Sequence, residues 1–219
     1  MAGYIVYWPQ DRVKELQKAG DTGPIKVVLG SIHSRMPTIV SVKVGDIVFP
    51  VTLIKKRLCV LARLPVERRE PALNYLIREL GQAHGALLPE GTALENSING
   101  NSRYWSNIGG KYSYRQQKEL PEGTTVITLA QQVEKPHQKH QEPFNCCSQW
   151  AVSGEGGSAI RPRPVPEELV PALRFGHPKS KERPLSVNQK GDVLATSLTA
   201  TRRMSPETLA VFEALFRED

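Results

Sequence analysis

The chain of 219 residues is poor in the features that mark several common protein classes. Its three cysteines, two of them adjacent (Cys146 and Cys147), are too few for a disulfide framework and fit a reducing compartment. No apolar run approaches the roughly 20 residues that a membrane-spanning helix needs. The first residues also lack the basic start and apolar core of a signal peptide. These absences predict a cytoplasmic protein that makes no use of a membrane.

Motifs for catalysis and cofactor binding are missing as well. The Gly-rich segment 154–158 lacks the ending of a P-loop, the spacing of a dinucleotide fingerprint and the Gly-x-Ser-x-Gly pattern, so we predict a tight loop. His137 and His140 precede Cys146 and Cys147, but adjacent cysteines suit tetrahedral zinc poorly. We predict no cofactor, while a metal role for these four residues stays open.

Positive charge is in excess and is unevenly distributed. The net charge is +7, and residues 1–135 carry 18 Lys and Arg against 12 Asp and Glu, whereas residues 136–219 carry 11 against 10. Between residues 52 and 69, six basic residues accompany a single acid. A local basic stripe indicates contact with nucleic acid or an acidic partner better than net charge does. The alternative interpretation is a solvated face without a partner.

The basic stripe coincides with a predicted β-hairpin. Two β-rich runs, 47–54 and 58–64, are separated by Lys55, Lys56 and Arg57. Apolar residues occupy both sets of alternating positions, which predicts strands covered on both faces. Pro50 has no N–H to donate, so its strand is expected to lie at an edge or to be bulged there.

Further elements divide the chain into three predicted parts. Helical spacing of apolar residues predicts a helix over 67–80, and β-rich composition predicts a strand over 192–198. Ser205 as N-cap and Pro206 at the first helical position predict a C-terminal amphipathic helix, whose buried residues are Leu209, Phe212 and Phe216. The predicted parts are a β-rich domain over 1–130, a polar linker or loop over 131–143, and a smaller α+β portion over 144–219.

A segment rich in Asn, Ser and Gly, 96–118, combines aromatic and basic side chains. Aromatic rings stack on bases, and cationic groups neutralise phosphates. This composition is typical of proteins that bind single strands or splayed bases, although Tyr104 and Trp105 would equally serve to anchor a long loop to the core. His33 and Arg35 lie on another loop that precedes the hairpin. The predicted nucleic-acid-binding residues are His33, Arg35, Lys55, Lys56, Arg57, Arg63, Arg103, Tyr104, Trp105, Lys111 and Arg115.

Three segments of the first half resemble the PUA-like superfamily, which includes the ASCH, EVE and YTH domains. They are the aromatic run 4–8 with the helix predicted after it over 10–19, the run 44–49 that contains Gly45 and Asp46, and the return strand 58–66. The chain lacks the Gly-x-Lys-x-x-Glu-x-Arg signature of ASCH domains, and Trp8 and Trp105 are candidates for the aromatic cage of YTH and EVE domains. The resemblance implies an α+β fold with a small, partly open β-barrel flanked by helices, which binds RNA or modified nucleic acid.

Three functional classes remain open at this point. The residues and the resemblance both favour a protein that binds RNA or a modified or single-stranded nucleic acid. A second class is an interaction or immunity-type protein that neutralises an acidic protein partner. A third is a nuclease or nucleotide-modifying enzyme, for which no catalytic residue can be named.

Overall fold

The computed structural model describes residues 1–10, 13–14, 17, 22–30, 39–71, 74–75, 150–176, 181–198 and 201–217. Within these ranges the fold is α+β and consists mostly of strands. The strands are β1 Gly3–Tyr7, β2 Val27–Gly30, β3 Ile47–Ile54, β4 Arg57–Val60, β5 Leu64–Pro65, β6 Arg68–Pro71, β7 Trp150–Ser153, β8 Arg163–Pro164, β9 Phe175–Gly176 and β10 Arg202–Met204. The helical elements with defined bounds are the α-helix α1 Pro206–Ala214 and the 3₁₀ helices Ile39–Ser41, Glu167–Ala172 and Ala195–Ser197, and residues 10, 13–14, 17 and 74–75 are also helical.

The strands form two open sheets. The larger sheet has the order β8-β4-β3-β1-β10-β9, with β5 also paired to β3, and the smaller sheet has the order β2-β7-β6. The pair β1–β3 is parallel, and the other strand pairs are antiparallel. The described sheets therefore give the α+β class, with neither sheet closed into a barrel.

Strands from late in the sequence are built into both sheets. In the smaller sheet β7 lies between β2 and β6, and in the larger sheet β8 pairs with β4 while β10 pairs with β1. Strands on either side of the predicted linker 131–143 thus share each sheet. That linker itself lies outside the described residues.

Both faces of the larger sheet are buried, as its apolar pattern predicts. Tyr4 and Val48 face one hydrophobic cluster, which includes Val28 and Val152 of the smaller sheet. Neighbouring residues such as Ile5 and Phe49 face a second cluster together with Phe212 of α1. The Phe49 and Phe212 rings meet edge to face with centroids 5.5 Å apart, an arrangement that aromatic pairs favour. The smaller sheet and α1 thus cover opposite faces of the larger one.

The Gly-Asp pair before β3 has a clear structural role. Gly45 has a φ of 88°, a left-handed conformation that glycine adopts without steric cost. The Asp46 carboxylate accepts hydrogen bonds from the backbone N–H groups of Ala2, at 2.7 Å, and Lys43, at 2.9 Å. One carboxylate therefore joins the segments that lead into the parallel strands β1 and β3.

The predicted hairpin is confirmed, but its return strand, predicted over 58–64, is divided into β4 and β5, and Arg57, predicted in the turn, belongs to β4. β3 pairs antiparallel with β4 and then with β5, but it is an internal strand, so the prediction of an edge position is wrong. Pro50 lies where β4 has ended and β5 has not begun, and its carbonyl oxygen accepts from Leu61 N–H at 2.8 Å. The missing donor of Pro50 is tolerated because the pairing on that side is interrupted there.

The C-terminal helix is also confirmed. Ser205 Oγ accepts a hydrogen bond from Thr208 N–H at 3.2 Å, and Pro206 opens the helix. Phe212 is fully buried, and Leu209 and Phe216 are partly buried against the same cluster.

Two other predictions are wrong over part of their length. The helix predicted over 67–80 begins too early, because Arg68–Pro71 is strand β6, which pairs with β7, whereas Asn74 and Tyr75 are helical as predicted. The strand predicted over 192–198 contains only an isolated bridge at Val193, followed by the 3₁₀ helix Ala195–Ser197. In the first case pairing with a distant strand overrides the local helical pattern.

Candidate nucleic-acid interface

The turn of the β3–β4 hairpin presents two lysines in an unusual backbone conformation. Ile54 pairs with Arg57, which leaves a two-residue loop of Lys55 and Lys56. Their φ angles are 48° and 67°, so both residues are left-handed, as in a type I′ turn. Asn and Gly are the usual residues in such turns, and a left-handed conformation costs other residues roughly 1–2 kcal/mol each. Strained residues are concentrated at functional sites, which makes this turn a candidate.

Two of the three basic residues at this turn form ion pairs with acids from the second half of the chain. Lys56 Nζ donates to Asp192 Oδ2 at 2.9 Å, and the Arg57 side chain contacts Glu167. The Lys56 side chain remains 66% exposed. Lys55 is exposed and has no ion-pair partner within the described ranges.

A small loop next to the turn fixes Asp192 in place. Asn188 Nδ2 donates to Asp192 Oδ2 at 2.8 Å, while Asn188 Oδ1 accepts from the backbone N–H groups of Lys190, at 2.8 Å, and Asp192, at 3.0 Å. The pKa of Asp192 is lowered from its ordinary value, chiefly by the hydrogen bond from Lys56 and next by that from Asn188. The charge of Lys190 acts in the same direction.

Lys190 adds a cation that the sequence did not single out. Together the residues around the turn form what we call the turn cluster. It consists of the cations Lys55, Lys56, Arg57 and Lys190 and the carboxylates Asp192 and Glu167. Because the four cations outnumber the two carboxylates, the turn cluster keeps a positive charge that can attract an anion. Only the composition Asn-x-x-Gly-Asp, typical of a turn, marks 188–192 in the sequence.

Arg63 is not part of the turn cluster. Its neighbour Leu64 pairs with Val48, six residues from Ile54, so Arg63 lies roughly 20 Å along β3 from the turn at 3.3 Å per residue. Arg63 Nε donates to both carboxylate oxygens of Glu213, at 2.9 and 3.1 Å, and each side chain is only 28% exposed. The structure therefore separates Arg63 from Lys55, Lys56 and Arg57.

The Gly-rich segment 154–158 supports the same end of the hairpin. Arg63 N–H donates to Ser158 Oγ at 2.9 Å, and Ser158 N–H donates to the Arg63 carbonyl oxygen at 2.9 Å. A Cβ at Gly157 would overlap the carbonyl oxygen of Ile25, and one at Gly154 would overlap that of Pro65. These glycines permit close backbone contact, so the segment is a structural junction.

Trp150 carries an aromatic–cation contact that the sequence did not indicate. The Arg69 guanidinium lies over the Trp150 ring, 5.0 Å from its centroid, across the paired strands β6 and β7. Such stacking is a favourable use of arginine. The face of the indole that Arg69 covers is not available to stack on a base.

The other predicted site residues lie outside the described residues: His33, Arg35, Arg103, Tyr104, Trp105, Lys111 and Arg115. The same holds for the possible metal ligands His137, His140, Cys146 and Cys147. Trp8, a candidate for an aromatic cage, is 3% exposed and packs in the hydrophobic core beside Tyr4. Its position is that of a core anchor.

Comparisons with known proteins returned nothing that bears on the site. A scan against protein-family models found no matching family, and searches of curated proteins and of solved structures found no match. In the described part of the chain, no helix has both the length and the apolar character needed to cross a membrane.

Proposed function

We propose that the chain binds nucleic acid, either RNA or a modified or single-stranded form, and that the turn cluster contacts its phosphates. The observation that carries this proposal is the exposed Lys55–Lys56 turn, held in a left-handed conformation beside Arg57 and Lys190. Lysine and arginine side chains that contact phosphates position a nucleic acid without reading its sequence. The turn cluster is thus assigned the backbone-binding part of the interface.

The proposal extends to the fold and to the rest of the interface. We propose that the larger sheet belongs to a PUA-like, partly open barrel. The support for this proposal is the Gly45-Asp46 pair, which leads into the hairpin and is joined to the start of β1 by the Asp46 carboxylate. His33, Arg35, Arg103, Tyr104, Trp105, Lys111 and Arg115 are proposed to supply base stacking and further phosphate contacts. Arg63, paired with Glu213, is left out of the proposed interface.

The test is the salt dependence of binding to a fluorescein-labelled U20 RNA, followed by fluorescence anisotropy. Each neutralised phosphate lowers the logarithm of the binding constant by roughly 0.7 per tenfold increase in salt. Reversing the charges of Lys55, Lys56 and Arg57 to Glu should remove about two units of slope and weaken RNA and single-stranded DNA alike. A matched control reverses Lys43, Arg68 and Arg217, three exposed cations at the opposite end of β3.

The two triple variants change the net charge equally, so a general field effect would flatten both slopes to the same extent. A loss of slope confined to the turn variant supports the proposal. Equal losses in both variants, or no binding by the wild type even at low salt, would refute it.

The second candidate function is the binding of an acidic protein partner. The segments that supply Glu167 and Asp192 also carry exposed apolar side chains, namely Leu169 (37% exposed), Val187 (49%) and Leu194 (39%). Protein interfaces combine an apolar centre with a polar rim. Co-purification of one acidic protein with the wild type, abolished by the turn variant and kept by the control, would favour this function.

A further inference from the structure

Every ion pair of the basic hairpin region joins an N-terminal cation to a C-terminal acid within the described residues. Lys56 pairs with Asp192, Arg57 with Glu167 and Arg63 with Glu213. At the turn these carboxylates occupy the donors that a phosphate would need. A carboxylate can compete with a phosphate only for a cation that is accessible to solvent. Lys56 and Arg57 meet this condition, since their side chains are 66% and 65% exposed.

Of the two acids at the turn, Asp192 is held more firmly in position to pair with a cation. Its side chain is 27% exposed and is held by Asn188, so it loses little freedom when it pairs with Lys56. The Glu167 side chain is 67% exposed and has only the contact with Arg57 among the described residues. An exposed pair of this kind contributes little and is easily replaced.

We propose that Asp192, and to a smaller extent Glu167, compete with the phosphates of the nucleic acid for Lys56 and Arg57. This inference rests on the function proposed above. A carboxylate and a phosphate are both anionic acceptors of hydrogen bonds from cationic donors. With its own carboxylates in place the turn cluster binds weakly, and Lys55 and Lys190 provide the first contacts before the internal pairs exchange.

The experiment measures U20 RNA affinity for the full chain carrying Asp192→Asn, Glu167→Gln or both, at one fixed low salt concentration. Asp192→Asn keeps an oxygen that can accept from Asn188, and Glu167→Gln lies outside that hydrogen-bond network. The matched control is Glu155→Gln, which also removes one negative charge and one lysine pair, that of Lys26, but lies near the Gly-rich junction. We expect Asp192→Asn to tighten binding roughly two- to fivefold beyond the control, and Glu167→Gln by less.

The outcomes separate this inference from the proposed function. If the wild type binds RNA and the affinity of Asp192→Asn is no higher than that of Glu155→Gln, the competition is overturned while the proposed function stays intact. Weaker binding by Asp192→Asn would mean that the acid positions Lys56 productively. No RNA binding by any variant, the double included, would overturn both. Binding that appears only in the double variant would refute the proposed function of the native chain, and this inference with it.

Discussion

The two ends of the β3 hairpin carry the same kinds of charged residue in different environments. At the turn end, Lys56 and Arg57 pair with acids while remaining about two-thirds exposed. At the opposite end, Arg63 and Glu213 are each 28% exposed and share two hydrogen bonds. Backbone bonds to Ser158 hold the second end further. Exposure and backbone anchoring, rather than residue type, therefore determine which of these cations are accessible to a binding partner.

The difference has an energetic basis. An exposed ion pair contributes roughly 0–1 kcal/mol because water solvates its members almost as well when they are apart. At the opposite end, the Arg63 Nε–H is shared by both carboxylate oxygens of Glu213. This charge-assisted hydrogen bond is less exposed, so water competes for it less than for the pairs at the turn. The ion pairs at the turn end can therefore exchange partners at small cost. The opposite end, at Arg63 and the Gly-rich segment 154–158, which we call the junction end, is expected to stabilise the fold.

The largest expected effect lies at the junction end. Gly157→Ala places a Cβ onto the carbonyl oxygen of Ile25, a backbone atom that cannot move without shifting its neighbours. We expect a loss of at least about 3 kcal/mol in the free energy of unfolding, because overpacking against backbone is poorly relieved. Urea unfolding followed by circular dichroism measures the change.

Gly156→Ala is the matched control for this prediction. A Cβ there would meet only side-chain atoms, of Pro65 at 3.6 Å and of Glu67 at 3.9 Å, which are ordinary van der Waals distances. The stability of this variant should stay within about 0.5 kcal/mol of the wild type. Equal effects at the two positions would show that the junction is not tightly packed around Gly157.

The second prediction concerns the turn end and combines stability with binding. Replacing Lys55 by Asn and Lys56 by Gly gives the residues that a type I′ turn prefers and removes two left-handed lysines. The free energy of unfolding should rise by about 1–2 kcal/mol, while affinity for U20 RNA falls. Chemical denaturation and anisotropy measure the two effects on the same samples.

A charge-only variant separates the two contributions. Lys55→Gln with Lys56→Gln removes the charges but keeps side chains at the left-handed positions. This variant should lose binding without gaining stability. If Asn-Gly were no more stable than Gln-Gln, the turn would not be strained, and its backbone would give no reason to regard it as functional.

The sequence predicts elements whose pattern is local. Residues 47–54 form β3 with the predicted bounds, because a run rich in β-branched and aromatic residues precedes a basic break. Helix α1 follows from Ser205 and Pro206, whose capping roles depend on the next few residues only. The exposed turn at Lys55 and Lys56 is a consequence of the same pattern.

Long-range partners are what the sequence could not supply. Asp192 meets Lys56 across 136 positions, and Glu213 meets Arg63 across 150. The local pattern places Lys56 at a turn, but no local pattern indicates that Arg63 contacts the Gly-rich segment 154–158 and pairs with Glu213. The parallel pairing of β1 with β3 is likewise set by tertiary packing and by the Asp46 carboxylate. The candidate site was therefore predicted in part, with its acids and Lys190 missing.

A third prediction compares the two ion pairs directly by double-mutant cycles. Arg63→Met and Glu213→Gln, singly and together, should give a coupling free energy of about 1 kcal/mol. The cycle of Arg57→Met with Glu167→Gln should give no more than a few tenths of a kcal/mol, because both side chains are largely in water. Urea unfolding of the wild type and the six variants provides both values. Equal coupling at the two ends would remove the energetic distinction between them.

The smallest effect is a change in the titration of Asp192. Its pKa lies below the ordinary value of 3.8, first because Lys56 donates a hydrogen bond to it. A depressed pKa in the folded chain means that the associated stabilisation is present above the unfolded pKa and is lost as the pH falls through the folded pKa. In Lys56→Met the pKa of Asp192 should rise toward 3.8, though not fully, since Asn188 still donates. NMR titration of the Asp192 carboxyl carbon measures this change.

Glu207 is the internal reference, because its pKa is lowered by hydrogen bonds from its own N–H and from Ser205, remote from the turn. An unchanged Asp192 pKa in Lys56→Met would show that the pair does not persist in solution, which would free Lys56 for a ligand and leave Asp192 without a competing role.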